Sequence, residues 1–189
     1  MKIKKRQFIF FTAFISLFQK IMAKEIPHQI WDQLKNLKGI PMQPGMSQTT
    51  LYVFIDLNCP VCADLWKKQV NGKPFHELPA IWIPVAHMGN NSLGKAAELL
   101  RSGSKEDLHL NFTKFNRGKR QGGLQGVIPT PMERSALAAA KSLWLELGGA
   151  TPMFIYRSTQ GEARLFLGLP PEPHFTELVA SMLFPSTAP

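Results

Sequence analysis

The sequence predicts an α/β fold in which an antiparallel strand pair follows a helical insertion. Three observations predict it. The run "TLYVFIDL", Thr50 to Leu57, is β-branched and aromatic, and it leads directly into "NCPVCADLWKKQV", which opens like a helix. Helical spacing dominates from Asn91 to Gly148, and two strand-like runs, "PMFIYR" and "ARLFLG", then flank the turn-forming "STQG". The chain has 189 residues, 44% hydrophobic and 19% charged, which suits a packed domain better than a disordered chain.

In chain order, residues 1–23 read as a secretory signal peptide: "MKIKKRQ" is a basic start, "FIFFTAFISLF" is an apolar run of 11 residues, and "QKIMA" ends in a small residue. That run is too short to cross a ~30 Å hydrocarbon core, which takes roughly 20 helical residues. Cleavage is expected after Ala23. Lys20 and Ile21 are atypical of a cleavage region and leave an uncleaved amino-terminal anchor as the alternative.

Residues 24–49 read as a short helix and a linker. "EIPHQIWDQLKNLKG" carries Ile30, Leu34 and Leu37 at helical spacing and ends at Gly39, and "IPMQPGMSQT" is a turn-rich connector. Trp31 either docks that helix or marks a partner surface. The main domain is expected over residues 50–189. Its first strand, Thr50 to Leu57, passes into a helix capped by Asn58 or Cys59, with Pro60 in its first turn, that runs to about Val70. A second strand follows in "AIWIPVAH". "SLGKAAELLRSG", "SKEDLHLNFTKFNRG" and "TPMERSALAAAKSLWLELGG" are helical, the last framed by Pro131 and Gly148, and "EPHFTELVASMLF" after the hairpin is a terminal helix.

Much of the formal charge of +9 belongs to the leader. Removing residues 1–23 takes away five basic residues and no acidic ones, leaving 17 against 13, a net +4. Arg117, Lys119 and Arg120 cluster in "FNRGKRQGG" without an aromatic ladder or a nucleic-acid motif, so a solvated loop is the favoured reading and no nucleic-acid partner is expected.

The two cysteines, Cys59 and Cys62, are the centre of interest. An exported chain meets an oxidising compartment, and with two cysteines an intramolecular disulfide joins these two. A bridge closing so short a loop ties no distant segments together, so its use is to be made and broken. The thiolate is the attacking form, and a helix start supplies unpaired amides and a dipole that favour it at Cys59. Cys62 then lies one turn along, deeper, as the resolving thiol. Pro60 and Val61 bring no charge or hydrogen-bonding side chain, so a moderate lowering of the Cys59 pKa is expected, inside the range of ~3.5 to ~7 found for such dithiols.

"FIDLNCPVC", the helical insertion, "LGGATPMFIY" and "LGLPPEPHF", in this order, resemble the thioredoxin-fold domain of the periplasmic DsbC/DsbG disulfide isomerase and reductase family, nearer DsbG through Pro60. The similarity spans roughly Leu51 to Leu183. It implies a thioredoxin-like fold with a helical insertion between the CxxC half and the cis-proline hairpin. It implies that Cys59 and Cys62 are the redox pair, that Thr151 and a cis Pro152 form the substrate-side loop, and that Asp56 matches an acidic position before the active site. Asp56 as a mere cap or solvated strand end is the equal alternative. The implied activity is thiol:disulfide interchange of reductase or isomerase type, acting on disulfides or oxidised cysteines of exported proteins. No cofactor is needed beyond the Cys59–Cys62 disulfide, and a membrane thiol reductase would be the electron donor. The 26 residues from Lys24 to Thr49 are too few for the family's dimerisation domain, so a monomer is expected.

Other chemistries weigh less. The alternatives are a DsbA-like dithiol oxidase, a copper carrier using the cysteines with His87 and Met88, or a chaperone for a secretion or surface-assembly system. The five histidines form no close pair, and copper chaperones of this fold usually space their cysteines CxxxC, so no metal site is expected and His87 and Met88 read as strand-end and core residues. Trp66, Trp82 and Trp144 read as core. Neither a nucleophile elbow nor a phosphate-binding loop is present.

Overall fold

The structure is a computed structural model that describes residues 23–43 and 50–184. The expected signal peptide, apart from Ala23, and most of the connector lie outside the described residues. The chain opens with strand β1 (Lys24–Glu25), helix α1 (His28–Lys35) and strand β2 (Ile40–Pro41). The cysteine-bearing unit follows as β3 (Leu51–Ile55), α2 (Pro60–Trp66), a small hairpin β4 (Gln69–Val70) and β5 (Lys73–Pro74), a 3-10 turn at Phe75–Glu77, and β6 (Ile81–Pro84). Three helices come next, α3 (Ser92–Ser102), α4 (Lys105–Thr113) and α5 (Pro131–Glu146). The chain closes with β7 (Met153–Arg157), β8 (Ala163–Leu167) and α6 (His174–Ala180).

Six strands form one sheet in the order β1-β8-β7-β3-β6-β2. The β3–α2–β6 unit makes β3 and β6 parallel, with Val53 opposite Trp82, while β7 runs antiparallel to β3 and pairs Phe154 with Val53. Every residue of β3 is buried. The alternation of the strand sends Leu51, Val53 and Ile55 to one face and Tyr52 and Phe54 to the other, and helices cover both faces, so the strand reads as a continuous apolar run. The first face packs against Cys62, Leu65 and Trp66 of α2, Phe112 of α4 and Phe175 of α6. The second packs against Ile30, Trp31 and Leu34 of α1 and Leu143 and Trp144 of α5.

Helix α5 begins where the sequence places it, with a reciprocal cap between Thr130 and Glu133 and Pro131 in the first turn. It ends at Gly148 and Gly149, both at positive φ (118° and 64°), a backbone that other residues rarely adopt. Trp31 docks α1: it is 3% exposed, meets Tyr52 edge-on at 5.2 Å, and carries the Arg157 guanidinium over its ring at 4.8 Å.

Four features differ from the sequence expectation. Helix α2 stops at Trp66 instead of reaching Val70, because Asn71 and Gly72 both take left-handed φ (51° and 78°) and fold Gln69–Val70 back onto Lys73–Pro74. An Asn-Gly pair at the tip of a two-residue loop is a hairpin signal that outweighs helical spacing there. Second, Ile40–Pro41, read as connector, is an edge strand on β6, and Gly39 beside it allows the approach: a Cβ there would lie 2.9 Å from the Trp82 carbonyl oxygen. Third, β1 pairs with Leu165 and Arg164 of β8, so Lys24 and Glu25, read as part of a helix-and-linker segment, complete the other edge. Helix α6 is also shorter than its apolar pattern, ending at Ala180 because Met182 bridges back to Ser158. Among the described residues no helix is long and apolar enough to cross a membrane.

Candidate active site

Cys59 is the N-cap of α2, with φ −79° and ψ 118°, and its sulfur accepts the Cys62 backbone N–H at 3.3 Å. The sulfur thus occupies the position that a serine or aspartate oxygen takes in an ordinary cap. Pro60 fills the first helical position, where its missing N–H leaves nothing unpaired. Cys59 is 2% exposed, Cys62 is fully buried, and both are free thiols. Val61 is 38% exposed and, with Leu169, Pro170 and Pro171, lines a surface cleft of about 530 Å³ on one side of the motif.

The two thiols are driven apart. The hydrogen bond from the Cys62 thiol, helped by the Thr151 side chain and the backbone N–H groups of Cys62 and Val61, pulls Cys59 down to about 7 against the opposing effect of burial. Burial foremost, and the bond donated to Cys59, push the Cys62 thiol well above its ordinary value. At neutral pH Cys59 therefore carries far more thiolate than an ordinary cysteine while Cys62 stays protonated. The lowering of Cys59 is moderate, as expected, but it reaches only the upper edge of the expected range, because desolvation offsets part of what the cap supplies.

Thr151 and Pro152 lie across from Cys59, in the loop between α5 and β7. The Thr151–Pro152 peptide is cis, Pro152 is buried, and the Cys59 thiol donates to the Thr151 carbonyl at 3.4 Å. The preceding residue is also fixed, since the Trp144 indole N–H donates to the Ala150 carbonyl at 2.7 Å.

His87, which the sequence left as a strand-end residue, belongs to this loop. Its Nε2 lies 3.0 Å from the Thr151 hydroxyl and its ring stacks on Trp144 at 4.6 Å. Burial holds the imidazole below its ordinary pKa, so it is neutral at pH 7. One signal could have found it: parallel neighbouring strands end on the same side of a sheet, so residues just after β6 converge on residues just after β3.

Asp56 is fully buried and is no solvated strand end. Its carboxylate accepts the backbone N–H groups of Asn58 (2.7 Å), His87 (2.8 Å) and Met88 (3.0 Å) and the Ser92 hydroxyl (2.7 Å). It thereby ties the ends of β3 and β6 and the first residue of α3 together, and its charge adds a smaller upward push on Cys62. Asn58 extends the tie, donating to the Met88 carbonyl and to Asn91. Among the described residues no three histidine, cysteine, aspartate or glutamate side chains are grouped to hold a metal ion.

No protein-family model matches the chain, and no curated protein matches it. Among solved structures, the chain is similar to a periplasmic thioredoxin-like protein from Salmonella enterica serovar Typhimurium, with a TM-score of 0.56 and 21% identity over 84% of this chain and 100% of that one. It is similar also to the catalytic domain of ScsC from Proteus mirabilis, with a TM-score of 0.53 and 18% identity over 80% of this chain and 96% of that one. The fold is thioredoxin-like, as the sequence predicts, with α3, α4 and α5 inserted between the cysteine-bearing half and the hairpin that follows the cis proline.

Proposed function

We propose that this thioredoxin-like chain is an exported thiol:disulfide oxidoreductase of reductase or isomerase type, acting through Cys59 and Cys62 on disulfides or oxidised cysteines of other exported proteins. The observation that carries the reading is the opposite perturbation of two adjacent thiols at one helix start: Cys59 near 7, Cys62 far above it. Cys59 thiolate attacks a client disulfide, forming a mixed disulfide and releasing one client thiolate. Cys62 then loses its proton and attacks the Cys59 sulfur. The second client thiolate leaves, the client has gained two electrons, and the protein holds the Cys59–Cys62 disulfide. With a client sulfenic acid the first step releases water after protonation, and the second step is the same. An external dithiol, for which a membrane thiol reductase is the proposed source, returns the pair to the reduced state.

The direction is argued from Cys59 itself. A strongly oxidising dithiol protein stabilises its thiolate down to a pKa of ~3.5, which favours its reduced form, whereas values near ~7 accompany reducing dithiols. Periplasmic location is supported by the leader and by the stated location of the Salmonella neighbour. A monomeric state is part of the same proposal.

The test is capture of clients in cells. Cys62→Ser should accumulate mixed disulfides that reductant releases, and Cys59→Ser should accumulate none. A folded Cys62→Ser variant that captures nothing would overturn the mechanism. Thiol alkylation in the same cells should find the wild-type pair mainly reduced, and a mainly oxidised pair would favour the oxidase direction.

A further inference from the structure

The cationic turn "FNRGKRQGG" is built onto the residues that flank the nucleophile. Asn116 and Gln121 exchange backbone hydrogen bonds at 2.8 and 3.1 Å, closing a tight hairpin in which Arg120 holds a left-handed φ of 48°. The hairpin is anchored on both sides of Cys59. Gly122 donates its N–H to the Asn58 carboxamide, Asn111 donates to the Leu57 carbonyl at 2.9 Å, and Arg117 forms an ion pair with Asp64 of α2.

Arg117 is thereby neutralised, but Lys119 and Arg120 are exposed, and among the described residues their side chains have no hydrogen-bond or ion-pair partner. They line, with Asn58, Asn90 and Gln121, a cleft of about 460 Å³. An adjoining cleft of about 590 Å³ shares Asn90 and Gln121 and adds Lys95 and Arg134. Among the described residues, neither lining contains an aspartate, a glutamate or an aromatic residue. Lys95 is 4% exposed and its ammonium donates to the Gly122 carbonyl, so one cation is fixed in the wall while the others face solvent.

We propose that this cleft binds an acidic, extended segment of the client polypeptide beside the cysteine that Cys59 attacks. The proposal rests on the dithiol reading above and names the client chemistry for it. Asn58 lines the cleft and directly precedes Cys59, so a client held there at ~3.3 Å per residue reaches the sulfur within a few residues. Cations without local partners favour carboxylates, and the Asn90 and Gln121 carboxamides can both donate to and accept from an extended backbone. A nucleic-acid strand would share the charge preference, but single strands are gripped by stacking on aromatic side chains, which the lining lacks.

The test uses the full mature chain and two short synthetic peptides without cysteine, one rich in glutamate and one in lysine, each carrying an uncharged fluorophore. The wild-type protein should bind the acidic peptide about tenfold more tightly than the basic one, a margin that fades with salt as exposed charges are screened. Lys119→Glu with Arg120→Glu should reverse the order. Lys119→Glu alone, at an ordinary backbone conformation, should narrow the margin even if strain at position 120 unfolds the double variant. The same peptides bearing a cysteine blocked by mercaptoethanol should show the same reversal in the ratio of their exchange rates. Equal binding of both peptides by the wild type overturns the proposal, as does tighter binding of a single-stranded oligonucleotide than of the acidic peptide. Reduction of hydroxyethyl disulfide by the wild type separates the two readings: activity without charge preference overturns the cleft alone, and failure to reduce it overturns the dithiol reading.

Discussion

His87 Nε2 lies 3.0 Å from the Thr151 hydroxyl, so the residue three positions beyond β6 holds the loop whose carbonyl faces the Cys59 sulfur. The imidazole is neutral at pH 7 and has one N–H. If that N–H sits on Nε2 and donates to Thr151, the threonine's own proton is free to turn toward the Cys59 thiolate, which the Thr151 side chain stabilises.

Thr151→Val should therefore raise the Cys59 pKa above about 7 and slow its alkylation at neutral pH, while Thr151→Ser should retain the native value. His87→Phe, which keeps a ring against Trp144 but loses the bond, should move it in the same direction. Ultraviolet thiolate absorbance followed against pH reads both. An unchanged titration in Thr151→Val would remove the hydroxyl from the account.

Cys59 also links stability to pH. Its folded value of about 7 lies below the ordinary thiol value of 9.0, so the ionised form favours the folded state. That contribution is absent below about pH 7, grows as pH rises to roughly 2 kcal/mol at about pH 9, and levels off above it. Cys62, raised in the fold, acts oppositely but only above its unfolded value. Under reducing conditions the stability of wild type relative to Cys59→Ala, from urea unfolding, should rise between about pH 7 and 9. A flat difference would show that the cap does not hold a thiolate.

Asp56→Ala should be strongly destabilising. It leaves three backbone N–H groups and the Ser92 hydroxyl without their acceptor in a fully buried site. Loss of such a charged hydrogen-bond centre costs about 3 kcal/mol or more. Urea unfolding should show the loss, and a change under 1 kcal/mol would mean that water replaces the carboxylate.

Gly122→Ala should cost about 1–3 kcal/mol, because the added methyl would collide with the Asn111 side chain, which bonds to Leu57 and Leu124. Gly118→Ala is the control at the tip of the same loop: its methyl meets only Asn116 at 3.5 Å, an ordinary contact. Equal urea midpoints for the two variants would show that the Asn111 anchor carries no strain.

The order of the main elements and the dithiol at a helix start were legible in the sequence, because each depends on neighbours a few residues apart. A continuous β-branched and aromatic run marks β3, a proline and a cysteine mark the start of α2, and an apolar spacing marks α5. The short hairpin after Trp66 was legible too, in Asn71–Gly72, but helical spacing masked it. The edge strands β1 and β2 were not, since two residues carry no periodicity and owe their conformation to the partners they meet. Tertiary structure alone brought His87 to Thr151, gathered three donors from two distant segments onto Asp56, and fixed the Arg117–Lys119–Arg120 turn beside Asn58. Those contacts join residues 31 to 64 positions apart for His87 and Asp56, and only the packing of β3 beside β6 and of the helical insertion over their ends decides which side chains meet.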